Sequence, residues 1–148
     1  MAHEITVTTV EARPTAVVRA VTTWAEFPRR WPDMLDQVWT GLRAEGVSRG
    51  LRNVMLYLDD APRVEVGVEL TRPLRLGGEV VRSALPAGRV AWTTHRGPYA
   101  ALWSAHEDVV EWCKAQGLRL AGPRWEIYGP HREEPEQPAT EVYHLLTE

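Results

Sequence analysis

The sequence is poor in the features that announce a particular chemistry. It has one cysteine, Cys113, among 148 residues, so no internal disulfide can form and a reducing, cytoplasmic setting is expected. No early stretch has the layout of a signal peptide, and no apolar run approaches the length that crosses a bilayer, so no membrane partner is expected. Charges of both signs are mixed along the chain, with a formal net charge of -3. Without a basic face, direct contact with nucleic acid is set aside. His3, His95, His106, His131 and His144 are scattered without paired ligand spacing, so neither a metal nor another cofactor is expected. Ser48, Ser83 and Ser104 lack a nucleophile-elbow context, which argues against a serine hydrolase triad.

What the chain does have is aromatic bulk. Seven tryptophans (24, 31, 39, 92, 103, 112 and 125) exceed the needs of a core this size. Tryptophan supplies rigid contact area plus one donor, useful both in cores and in aromatic ligand sites. Residues 1–148 read as one domain, long enough to bury a core without staples.

Residues 4–10 and 15–23 are β-like runs broken at Pro14. Phe27, Trp31, Leu35, Val38 and Leu42 recur at helical spacing up to Gly46, with Pro28 and Pro32 in the first turns. Strands follow at 51–58 and 63–70, joined by a turn at 59–62. An edge strand is expected at 79–85 and a clearer strand at 89–95, with Val90 and Trp92 on one side, Thr93 and His95 on the other. Gly97-Pro98 opens a second helix whose stripe includes His106, Val109 and Cys113 and which ends at Gly117. His106 on that stripe reads as a satisfied core histidine. The stretch 117–128 is then a helix end, a short link and a strand. A polar loop covers 129–138 and a last strand 140–147, where Tyr143 and Leu145 share one face.

A shift of 71 residues lays Gly46 on Gly117, Val47 on Leu118, Leu56 on Ile127 and Tyr57 on Tyr128. Two pseudo-repeats, at about 4–70 and 88–147, each read strand, helix, strand, strand. The implied fold is α+β: a curved antiparallel sheet, two helices on the face of Val54, Leu56, Trp125 and Ile127, and a ligand groove on the other. Alternation along the strands puts Met55, Tyr57, Glu126 and Tyr128 together on that second face. Two readings of Glu126 stand here. Polar residues commonly line the wet side of a sheet, but phenols and a thioether suit a sheltered groove between related halves better.

The run His95-Arg96-Gly97-Pro98-Tyr99, the helix to Gly117, Gly122-Pro123 with Glu126 and Tyr128, and the closing Thr140-Glu141-Val142-Tyr143 resemble the GyrI-like small-molecule-binding domain. The likeness is close over the second half and looser over the first. Members of that family serve as effector-binding halves of multidrug-responsive regulators, as free-standing proteins that protect DNA gyrase from toxins, and as hydrolases that open cyclopropane-bearing DNA alkylators. The resemblance implies that Glu126 sits in an aromatic pocket and meets cationic ligands, with Tyr57, Tyr128 and Tyr143 around it; alternation adds Met55, and His95, which precedes the second helix, is a further candidate to face the groove. It also implies a hydrophobic or cationic aromatic small molecule as partner. No appended helix-turn-helix is seen, so a role as transcription regulator is not expected.

Three functions remain open on this reading. The first is a detoxifying hydrolase, in which Glu126 assists water and Tyr128 or Tyr57 donates to the developing oxyanion. The second is sequestration of planar aromatic or cationic compounds, with Glu126 as counter-charge. The third is a protein-interaction module contacting DNA gyrase.

Overall fold

A computed structural model describes residues 3–129 and 139–147 of the chain. Its two helices, α1 (Phe27–Ala44) and α2 (Leu102–Ala115), end in the same way. Gly46 and Gly117 take φ of +83° and +72°, the left-handed conformation that side chains disfavour. The next amides, Val47 and Leu118, then donate back to the carbonyls of Leu42 and Cys113, each at 2.9 Å. This is the six-to-one bond of a glycine-ended helix, and it occurs at corresponding places in the two halves. A 3-10 turn, Tyr99–Ala101, leads into α2 where a continuous helix from Pro98 was expected.

The strands are β1 (Thr6–Val10), β2 (Arg13–Val21), β3 (Asn53–Tyr57), β4 (Arg63–Glu69), β5 (Val81–Leu85), β6 (Gly88–Arg96), β7 (Leu120–Tyr128) and β8 (Ala139–Leu146). They form one antiparallel sheet in the order β1-β6-β8-β7-β3-β4-β2-β5, so the expected α+β class holds. The order is symmetric about the β3–β7 pair, yet the outer strands are exchanged. β1 lies beside β6, and β5 beside β2. Each half is therefore strand, strand, helix, strand, strand, and its first strand completes the edge of the other half. The expected loop at 129–138 lies outside the described residues beyond Gly129.

Only Glu11-Ala12 separates β1 from β2, and only Pro86-Ala87 separates β5 from β6, although those strands lie at opposite ends of the order. Three peptide steps span at most about 11 Å, so the sheet curls until its ends meet. The curl encloses Val54, Leu56, Leu85, Val90, Trp125, Ile127 and Tyr143 as one buried cluster. Gly67 of β4 lies on this tightly bent face, where an added Cβ would fall 1.8 Å from the Ala16 carbonyl oxygen.

That curl corrects the expected placement of the helices. They do not cover Val54, Leu56, Trp125 and Ile127, because the sheet covers that face with itself. Instead α1 packs Phe27, Met34, Val38 and Leu42 onto Met55, Tyr57, Val64, Val66 and Val68, and α2 packs Ala105, Val109 and Cys113 onto β6 and β8. Helices and groove share one face. α1 lies over β2 and β4, α2 over β6 and β8, and the central β3–β7 pair is left open between them. No helix among the described residues is long and apolar enough to cross a membrane.

Candidate functional site

Met55 and Glu126 are direct cross-strand neighbours, and they are also 71 residues apart, so the pseudo-two-fold axis passes between them. The same axis relates Tyr57 to Tyr128. Alternation turns all four side chains to the helical face, and the two tyrosines converge on the one carboxylate. Tyr57 donates its hydroxyl to Glu126 Oε1 at 2.9 Å and Tyr128 donates to the same oxygen at 2.5 Å. Each phenol oxygen also lies 3.6 Å from Met55 Sδ. Burial, and then the neighbouring Glu126 charge, push both phenols well above their ordinary range, so both remain neutral donors.

The other carboxylate oxygen is held from α2. His106 Nε2 lies 2.7 Å from Glu126 Oε2; since a carboxylate only accepts, this nitrogen carries the proton. Behind it, His106 Nδ1 is 2.9 Å from Nε2 of the buried His144, the rings meeting edge-on at 69°. Burial, then the His106 and Arg124 charges, hold His144 down at about 3 against an ordinary 6.5. Arg124, two residues before Glu126, pairs with Asp60 at 2.8 Å and lies 5.5 Å over the Trp24 ring.

Glu126 is only 5 % exposed, yet it reaches the floor of a cavity of about 600 Å³. Phe27, Trp31, Leu35 and Trp39 of α1 make one wall, Tyr99 and Leu102 the other, and Met55, Tyr57, Glu126 and Tyr128 the floor. Trp39 is fixed by its indole N–H on Asn53 Oδ1 at 2.8 Å, and Tyr99 meets Tyr128 edge-on with centroids 5.7 Å apart. The volume lies within the usual range for small-molecule sites; its charged lining residues are Glu126 on the floor and Arg49 beside Leu51, and aromatic walls around a few such groups set orientation and selectivity.

Of the residues expected at the site, Glu126, Tyr57, Met55 and Tyr128 come together. Tyr143 does not. Its register partner is Trp125, which turns it to the inner face, where it stacks between Trp92 and Trp125 at 5.2 and 5.5 Å and donates to Glu141 at 2.7 Å. His95 lies on the helical face but away from the cavity, with Nε2 on the Pro98 carbonyl at 3.1 Å and Nδ1 beside His3 Nε2 at 3.0 Å. His106, read from its stripe as core, is the residue sequence reasoning missed. The 71-residue shift carried the signal, because it sets His106 opposite Leu35, a wall residue. Among the described residues no cluster of three histidine, cysteine or acidic side chains is arranged to hold a metal ion.

The sequence matches the GyrI-like small-molecule-binding domain over residues 3–146, and the chain belongs to that family. Solved structures share the fold at low identity. The C-terminal domain of EcmrR is 16% identical with a TM-score of 0.78, over 100% of this chain and 99% of that one. SAV2435 bound to tetraphenylphosphonium is 14% identical with a TM-score of 0.65, over 97% and 94%. A hydrolase from Listeria innocua is 12% identical with a TM-score of 0.60, over 97% and 92%. Curated proteins give no sequence match.

Proposed function

We propose that the protein binds hydrophobic aromatic cations in the cavity between α1 and α2, and that this binding protects the cell from such compounds. The observation that carries this reading is a buried carboxylate on the floor of an aromatic cavity, Glu126 beneath Trp31, Trp39 and Tyr99. Ring faces attract cations, and an acid already removed from bulk water attracts them more strongly than a surface acid. The test uses tetraphenylphosphonium, the compound held by one structure of similar fold. Titration is expected to change tryptophan fluorescence, since Trp31 and Trp39 line the wall. At about 4 Å and an effective dielectric of 20 a charge pair is worth about 4 kcal/mol. Desolvation offsets part of this, so Glu126→Gln is expected to weaken cation affinity roughly 10- to 100-fold, about 1.4 to 2.7 kcal/mol. Equal affinity in wild type and variant would remove Glu126 from recognition.

A second reading adds turnover. It is supported by the two neutral phenols bonded to the same carboxylate, an arrangement that joins a base to two donors. On a cyclopropane conjugated to a dienone, water would attack the ring carbon as Glu126 takes its proton. The ring carbon–carbon bond breaks, its electrons reach the carbonyl, and a phenol donates to the oxygen that becomes phenolic. The product is one water heavier. Many turnovers per protein, lost in Glu126→Gln, support this reading; stoichiometric retention of unchanged compound leaves binding alone. Recovery of topoisomerase from a pull-down irrespective of Glu126 would favour the interaction module instead.

A further inference from the structure

The two halves of the site differ at two pairs of corresponding positions, Met55 against Glu126 on the floor and Leu35 against His106 on the helices. Where α1 presents Leu35 to the cavity, α2 presents His106 to the carboxylate. Glu126 is thus held from two sides, with both phenols on Oε1 and an imidazole on Oε2. The imidazole is backed by a second one, His144.

Glu126, His106 and His144 form one hydrogen-bonded chain. With both imidazoles neutral the chain is complete: His106 Nε2–H donates to Oε2, and His144 Nε2–H donates to His106 Nδ1. One more proton is accommodated without breaking a bond. It enters at His144 Nδ1 while the His144 Nε2 proton crosses to His106 Nδ1, leaving His144 neutral in its other tautomer and His106 an imidazolium on the carboxylate. The net charge at the cavity floor then changes from -1 to zero.

We propose that His106 makes cation binding at Glu126 an exchange, in which its own imidazolium and the ligand cation compete for one carboxylate and a bound cation expels a proton. This rests on the reading of the cavity as a cation site. The charged and titratable groups around the pair favour His106 as the place where the proton rests. Glu126 faces it from β7, and neutral Tyr57 and Tyr128 complete the carboxylate's contacts. From β8, His144 is buried beside Arg124, and the depression of its basicity keeps the proton off it. From β6, His95 is engaged by His3 and the Pro98 carbonyl. On α2 itself, Asp108 is paired with His3 at 2.6 Å. His106 is therefore a positioning residue that also sets the charge of the site.

The test is calorimetric titration of the full chain with tetraphenylphosphonium between pH 5.5 and 8, in pairs of buffers that differ in ionisation enthalpy. In the wild type the heat is expected to depend on the buffer at acid pH, reporting proton release, and to lose that dependence towards pH 8. Affinity is expected to fall on acidification, approaching tenfold per pH unit where the imidazole fills, since linkage ties the slope to the protons exchanged. His106→Leu, carrying the residue that α1 uses, and His106→Gln, which keeps a donor but cannot titrate, are both expected to bind the cation without proton release. Buffer-independent heats in the wild type at every pH would overturn the exchange while leaving the cation site standing. Proton release that persists in both variants would do the same. Absence of binding by the wild type at pH 8 would instead remove the cation site, and the exchange with it.

Discussion

Acid should unfold this protein in part through His144. The residue sits beneath α2, beside His106 and Arg124, and its basicity is held down at about 3 against an ordinary 6.5. Between those values the unfolded chain takes up a proton that the folded chain refuses, so stability falls as pH falls. The penalty is absent above about pH 7.5, grows as pH drops from 6.5 towards 3, and is level below that. Each pH unit within the window costs about 1.4 kcal/mol, which gives roughly 2 kcal/mol at pH 5. For a domain of this size that is roughly 4 to 8 °C in Tm. The assay is urea unfolding of wild type and His144→Gln at pH 7.5 and pH 5. Glutamine stays neutral and still has a donor for His106 Nδ1. The variant should lose about 2 kcal/mol less than the wild type over the interval, with titrating groups remote from the His106–His144 pair cancelling in the difference. Parallel loss in the two proteins would refute the claim that His144 is buried neutral.

Two further substitutions probe the floor and the curl. Tyr128→Phe removes one of three donors to the buried Glu126 carboxylate and should cost about 1.5 to 3 kcal/mol in urea unfolding at neutral pH; a change under about 0.5 kcal/mol would mean the bond contributes nothing. Gly67→Ala places a methyl group within the Ala16 carbonyl, and because backbone rather than a flexible side chain must yield, a loss of at least about 2 kcal/mol is expected by thermal unfolding. An unchanged Tm would show that the sheet is less tightly bent there than described.

Much of the site could be read from alternation and repetition. Glu126 and Tyr128 must share a face because they are two apart in a strand, and the same holds for Met55 and Tyr57. The 71-residue shift then makes the two pairs neighbours across one axis. Tyr143 shows where that reasoning ends. Its odd position in β8 turns it towards Trp125, and resemblance to a family could not override the pleat. His106 shows the converse: a helical stripe reports which residues face inward, but not whether a core or a carboxylate meets them.

The sequence alone determined the elements, because capping glycines, strand alternation and helical spacing act over a few residues and are written locally. It suggested a two-fold plan for the same reason, since each half repeats those local signals, although each half holds one strand more than the strand, helix, strand, strand repeat read from the sequence. Only the tertiary structure decided which side of the sheet carries the helices and the cavity. Val54, Leu56, Trp125 and Ile127 could have been covered by a helix or by the sheet itself, and a hydrophobic face carries no label for its partner. The exchange of β1 and β5 between halves drew the sheet into a curl, and that long-range pairing left Glu126 under the gap between α1 and α2.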